Sequence, residues 1–144
     1  MNTFETLKER IQQQDGTKFP SKAFADLVLR PAYDNAKENL LGAMMEVNRA
    51  QLIMLCERGL LTQQEAESIE KGLRQLDLRA LETGEYTGAY EDLFFEVEGK
   101  LLEACGDPAG SLHLARSRND MGVTMYRMVL RRRLFKVMEA LNGF

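Results

Sequence analysis

Apolar residues along this chain recur every three or four positions, and no stretch sustains a two-residue alternation. That spacing predicts an all-α fold with essentially no sheet. Residues 3–14 are polar and weakly periodic, and a loop through Asp15-Gly16 and Pro20 follows. Ser21 is placed to cap a short turn that ends before Pro31, because a proline ring disfavours helix at the residue preceding it. A helix is expected from an N-cap at Asp34 to Arg58, stopping at Gly59. Its two apolar stripes, Leu41/Met45/Leu52/Leu55 and Leu40/Met44/Val47/Met54, predict burial on more than one side, as in the middle of a bundle. Thr62-Gln63-Gln64-Glu65 has the form of a capping box and opens a helix carrying Ala66, Ile69, Leu73 and Leu76. Thr83-Gly84 and Thr87-Gly88 break the pattern, and a further helix fits 90–105, bounded by Gly106-Asp107-Pro108.

The last helix has the longest apolar pattern. From Asp120 onward, Val123, Tyr126, Leu130, Leu134, Val137 and Leu141 step by three or four, with Met121, Met125, Met128 and Val129 on a second side. At about 1.5 Å per residue the segment 120–142 spans roughly 34 Å. Arg131-Arg132-Arg133 interrupts it. Three arginines on a helix of an acidic chain read as a solvated or salt-bridged face, since an electrostatic footprint for nucleic acid needs a wider basic cluster.

Composition narrows the function classes. The chain of 144 residues carries a net charge of −3, which gives no basic footprint for nucleic acid. It has no apolar run near 18 residues and a polar N-terminus, so neither a membrane span nor a signal peptide is expected, and a cytoplasmic protein is. Cys56 and Cys105 form no ligand pair with the single histidine, His113. Both lie in apolar helical patterns and are expected to be buried, reduced thiols; no metal and no cofactor are predicted.

Candidate chemistry concentrates in residues 111–120, Ser-Leu-His-Leu-Ala-Arg-Ser-Arg-Asn-Asp. Arg116, Ser117, Arg118 and Asn119 put two guanidinium groups, a hydroxyl and a carboxamide just before the last helix. A helix N-terminus is already an anion site, through its unpaired N–H groups and dipole. Arginine adds a planar fork of donors matched to carboxylate oxygens. On chemistry alone the run also reads as an ordinary capping loop, in which Ser, Asn or Asp satisfies the first helical N–H groups.

The same run resembles the His-Thr-x-Arg-Ser-Arg-Asn-Asp signature of argininosuccinate lyases, members of the fumarase/aspartase superfamily. Upstream, Glu91-Asp92-Leu93-Phe94 followed by Glu96, Glu98, Leu101 and Leu102 is similar to the family's Glu-Asp-Ile-His segment, and Gly106-Asp107…Gly110-Ser111-Leu112-His113 to its lead-in. Ala32-Tyr33-Asp34, then Gly59-Leu60-Leu61-Thr62…Glu65…Ile69…Gly72-Leu73, follow the N-terminal helical region in the same order. The resemblance implies an N-terminal helical domain over 1–112, with the signature loop and the first part of a central helical-bundle domain, truncated, over 113–144. It implies a homotetramer with a twenty-helix central bundle and active sites shared by three subunits, each bringing one of three motif regions. Only the first region is present here. No Thr-His or Gly-Ser-Ser dipeptide occurs, so the chain alone is expected to be inactive, with none of its own residues as the catalytic base.

The implied chemistry is β-elimination from a small dicarboxylate, an N-substituted succinate, releasing fumarate and an amine such as arginine. In that scheme Arg118 and Asn119 contact substrate, Ser117 helps hold a carboxylate, and Arg116 braces the loop from behind. His113, beside Leu112 and Leu114, is expected to fix the loop by hydrogen bonding. Three positions depart from the family. Leu29 or Arg30 stands where it carries a serine, Phe94 replaces the histidine of its Glu-Asp-Ile-His, and Met121 replaces a Gln or similar residue. The reaction type therefore transfers better than the substrate. The alternative is a non-catalytic helical structural or partner-binding module related to the family.

Overall fold

In the computed structural model of the chain, Pro31 sits inside a helical run rather than at its end. The structure describes residues 20–143 together with Glu9, Arg10 and Gln13; the Asp15-Gly16 loop and most of the 3–14 segment lie outside these residues. Ser21 caps α1 (Lys22–Phe24), its hydroxyl accepting from the Phe24 amide at 3.3 Å. A π-helical turn (Ala25–Leu29) follows and leads directly into α2 (Arg30–Asn39). The expectation that Pro31 ends this run is thus corrected. Proline offers no amide to the fourth residue back and its ring crowds that carbonyl; the wider π turn immediately before Pro31 relieves the conflict.

The helix expected over 34–58 is divided at Leu40, whose φ of −114° opens the backbone between α2 and α3 (Leu41–Glu57). Asn39 contributes to the break, since its carboxamide bonds back to the Asn35 carbonyl at 3.1 Å, a local competitor with regular helix. Both apolar stripes of α3 face protein over much of their length: Leu41, Met44, Met45, Leu52 and Leu55 are buried, and Leu40 and Val47 half-buried. Only Met54, near the end, is exposed. Gly59, at φ +65°, provides the left-handed stop.

Thr62 and Glu65 form the reciprocal capping box of α4 (Gln63–Gln75), and these bonds hold the Glu65 carboxyl below its usual range. A short α5 (Leu78–Thr83), capped by Asp77, follows; its six residues are too few for periodicity to reveal. Next come α6 (Leu93–Cys105), capped by Asp92, and the single turn α7 (Pro108–Ser111). The chain closes with α8 (Arg118–Asn142). No strand occurs among the described residues.

The core forms where α4 packs against both α3 and α6, sealed by α2, α5 and α7. Its most completely buried side chains include Met45, Leu55, Ile69, Leu81, Leu93, Leu101 and Leu112. Burial of each such side chain contributes about 1.5–3 kcal/mol. Gly72 sets how closely α4 approaches α6, because a Cβ there would lie 2.9 Å from Leu101 Cδ1 and 3.2 Å from Cys105 Sγ. The cysteines are unpaired, and the expectation of two buried thiols is corrected. Cys56 is exposed on the outer side of α3, whereas Cys105 is half-buried beside Gly72, where burial pushes its thiol pKa up.

Among the described residues, the apolar packing of α8 lies in its first half, by buried Met121 and Met125 and half-buried Met128 and Val129. Arg132 pairs with Glu46 at 2.6 and 2.7 Å, Arg133 bonds Asn39, and Arg131 lies over the Phe135 ring. The arginine triplet is therefore a salt-bridged and solvated face. Val123, Tyr126, Leu130, Leu134, Val137 and Leu141 form the exposed apolar side. No helix of the described residues is long and apolar enough to cross a membrane.

Candidate functional site

The chain between α7 and α8 is pinned at both ends. Leu112 is fully buried, and Gln51 of α3 donates to the Leu114 carbonyl at 3.0 Å. Ala115 takes a positive φ of +55°, and the Arg116 amide bonds the His113 carbonyl at 3.1 Å, so the backbone turns sharply before α8. Ser117 then caps the helix, its hydroxyl accepting from the Asp120 amide at 3.3 Å. Arg118 and Asn119 consequently belong to the first turn of α8, two residues ahead of the start expected near Asp120. Ser117 is itself a strong N-cap and its hydroxyl takes the Asp120 amide, so the helix starts at the first good cap rather than at Asp120.

Facing this turn is the N-terminal half of α6. Asp92 caps it, Oδ1 accepting from the Phe95 amide at 3.1 Å, and Phe94 and Phe95 meet edge to face at 5.6 Å. A hollow of about 300 Å³ lies between, walled by Phe94, Phe95 and Glu98 on one side and by His113, Arg116, Ser117 and Arg118 on the other, with buried Met121. Arg116 is half-buried and Arg118 exposed. Asn119 is exposed and not part of the hollow's wall.

The polar groups form two linked arrangements. In the first, Arg116 Nη2 donates to His113 Nδ1 at 2.9 Å, which leaves the proton on Nε2, 3.3 Å from Glu98 Oε1. Burial, reinforced by the Arg116 charge and opposed by Glu98, holds the His113 pKa below its ordinary value, so the imidazole is neutral near pH 7. Burial lowers the Arg116 pKa too, against Glu98. Nε and Nη1 of Arg116 are buried without a hydrogen-bond partner among the described residues, at a cost of about 1–3 kcal/mol for each unmet group. In the second arrangement, Arg118 pairs with Asp92 while its Cζ lies 5.2 Å from the Phe94 ring centroid and 4.7 Å from that of Phe95.

Three of the four candidate residues, Arg116, Ser117 and Arg118, thus converge on one hollow at a helix N-terminus. A larger groove of about 650 Å³ between α2 and α8 is lined chiefly by Ala32, Ala36, Leu40, Tyr126, Val129 and Leu130. Its one charged group, Arg133, already bonds Asn39, so it lacks converging chemistry.

Comparison with known proteins places the chain in a family. Argininosuccinate lyase 2 of Agrobacterium fabrum is 41% identical over 123 residues, covering 83% of this chain and 24% of that protein. Argininosuccinate lyase of Maridesulfovibrio salexigens is 36% identical over 124 residues, and argininosuccinate lyase 1 of Shouchella clausii 30% over 121, each covering 83% of the chain. The chain belongs to the argininosuccinate lyase family. It spans about a quarter of the length of these curated relatives. No family model and no solved structure matches it.

Set against the family motif, Phe94 takes the place of a histidine at the wall of the hollow, where it meets both Arg118 and the His113 ring, the latter at 5.5 Å. Leu29, at a second departure, is partly buried against the core, and Met121, at the third, is buried in the lining of the hollow. Reasoning from sequence missed Asp92 and Glu98 as partners of the signature run. Their spacing held a usable signal, since Phe94 and Glu98 stand four apart on one helical face and Asp92 precedes Phe95 by the three residues of an N-cap.

Proposed function

We propose that this chain is part of a carbon–nitrogen lyase acting on an N-substituted succinate, and that the hollow at the start of α8 receives a substrate carboxylate. The observation that carries the reading is the convergence of Arg116, Ser117 and Arg118 on one hollow at the amino end of a 25-residue helix. In the reaction, a base removes a proton from the carbon beside one carboxylate, and the electron pair is held as a dianionic aci-carboxylate. That pair then forms the carbon–carbon double bond as the carbon–nitrogen bond breaks, and the amine leaves with a proton from an acid. The products are fumarate and an amine, arginine in the family's named reaction.

Charge grows on a carboxylate during proton removal, so fixed donors aimed at it lower the barrier more than they tighten ground-state binding. Arg118 and Asn119 contact substrate in this proposal, Ser117 donates its hydroxyl proton while still capping α8, and Arg116 holds the loop through His113. The base and acid come from outside this chain, which is inactive alone. Residues 113–144 start the central bundle, and the apolar side of α8 packs on other copies in a homotetramer. Phe94 and Leu29 supply no hydrogen bond where the family has polar groups. Another N-succinyl amine is therefore preferred over argininosuccinate, since a site that leaves a polar group unpaired discriminates strongly.

A chimera tests the proposal: this chain replaces the matching quarter of the Agrobacterium fabrum relative, and fumarate absorbance is followed with argininosuccinate and other N-succinyl amino compounds. Fumarate release that Arg118→Ala abolishes is the expected result. A folded, assembled chimera that releases none from any of them refutes it, and favours the non-catalytic module. Fast, saturable release from argininosuccinate refutes the substrate preference alone.

A further inference from the structure

Arg118 already has a carboxylate. Its Nη2 pairs with Asp92 Oδ2, and its guanidinium carbon lies within 5.2 and 4.7 Å of two aromatic ring centroids. A guanidinium presents flat faces to aromatic rings and a fork of donors at its edge. Here Phe94 and Phe95 serve the faces and Asp92 part of the fork. Asp92 itself is held elsewhere: its other oxygen, Oδ1, caps α6 by accepting from the Phe95 amide at 3.1 Å. The capping bond fixes the carboxylate to the backbone of α6, whereas Arg118 keeps a long rotatable stem and a side chain 46% exposed.

We infer that Asp92 is an internal occupant of the carboxylate receptor at Arg118, standing in that site until a dicarboxylate ligand displaces it. The inference rests on the proposal that Arg118 receives a carboxylate, and adds to it the residue that competes. The competition is mild. The Arg118 half of the pair is 46% exposed, so solvent screens an interaction that the 25% exposed Asp92 alone would strengthen, and the cap of α6 uses the oxygen that Arg118 does not. A ligand carboxylate offering two oxygens to the fork, with Ser117 and the free amides of α8 beside it, gains bonds that Asp92 cannot make from its fixed position. Asp92 and the two rings hold the guanidinium at the hollow rather than leaving it to wander in solvent.

Asp92→Asn separates the two roles, because asparagine caps a helix as well as aspartate and carries no charge. Succinate, an unreactive four-carbon dicarboxylate, is titrated into the chain at fixed ionic strength and followed by calorimetry. We expect Asp92→Asn to bind it about three- to fivefold more tightly than the parent, the size of a surface ion pair expressed as affinity. Glu91→Gln removes the same charge one residue away and is expected to change affinity by less than about half that factor. Arg118→Ala abolishes binding in both backgrounds. Unchanged or weaker binding by Asp92→Asn that still depends on Arg118 overturns the inference and leaves the receptor standing, as does an equal gain from Glu91→Gln. Binding that is absent, or indifferent to Arg118→Ala, overturns both. Should Asp92→Asn fail to fold, the carboxyl carbon resonance of Asp92 in the parent decides: it shifts as succinate saturates, and a resonance that stays fixed overturns the inference.

Discussion

Ser117 is asked to hold a helix and a ligand with one hydroxyl, and two substitutions pull these jobs apart. Ser117→Ala removes the acceptor of the Asp120 amide, a 3.3 Å bond at an exposed helix start. Loss of a serine cap costs about 0.5–2 kcal/mol, and the low half of that range applies where water reaches the freed amide. For a chain of this size about 1 kcal/mol lowers Tm by roughly 3–5 °C. Ser117→Asp keeps the acceptor and adds a charge that the helix dipole favours by about 0.3–1 kcal/mol, so its Tm should equal or exceed the parent's. The new carboxylate, however, sits one residue from Arg118 and repels an incoming one. Two unit charges some 4 Å apart repel by about 1 kcal/mol in water and about 4 kcal/mol near a protein surface, so succinate affinity should fall about fivefold or more. Melting by circular dichroism and succinate titration at fixed ionic strength measure the two effects separately. If Ser117→Asp melts as low as Ser117→Ala, the cap is misassigned; if it binds succinate like the parent, the hollow is not a carboxylate site.

Gly99→Ala should destabilise by about 1–3 kcal/mol in urea unfolding. Its new Cβ would lie 2.6 Å from Tyr90 Oη and 2.7 Å from Cε1, so the whole ring edge must move. Gly122→Ala, within α8 and with nothing inside 4 Å, should instead stabilise by about 0.5–1 kcal/mol. Because the folded protein holds the His113 pKa down, the unfolded chain takes up the proton first on acidification. The His113 contribution to stability is therefore complete above the ordinary histidine value of about 6.5 and is lost as pH falls through the lower folded value. His113→Gln should flatten that part of a stability–pH profile, and an unchanged slope would refute the assignment. Arg132→Ala should cost less than about 1 kcal/mol despite its two short bonds, since both partners are half exposed.

Much of the fold was legible because its signals are local. The Thr62…Glu65 box, the left-handed stop at Gly59 and the Asp107-Pro108 boundary each depend on a few adjacent residues. Pro31 misled because the remedy, a π turn one step earlier, is a property of the run and not of the dipeptide. Leu40 misled because its opening draws on Asn39, whose carboxamide donates to the Asn35 carbonyl and side-chain oxygen rather than to solvent only once folded. Of the candidate site, the signature residues were readable as a string. Their partners were readable only as a cap and a helical face of α6, because Asp92 and Glu98 reach Arg118 and His113 only after α6 is laid against the α7–α8 connection. A sequence shows which groups are able to bind anions; only the packing shows which of them already has one.

The exposed end of α8 gives the chain a built-in reporter. Every described residue beyond Val129 is exposed, and Arg132 and Arg133 are the last to clip the helix to α3 and α2. Among the described residues, backbone amides past that clip have no tertiary packing to slow their opening, so their deuterium uptake should run fast, grading from the Met125 turn outward. Any surface that settles on Leu134, Val137 and Leu141 must hold those turns shut to make contact. Assembly would then register as slow exchange over a stretch of helix that none of the described residues packs against.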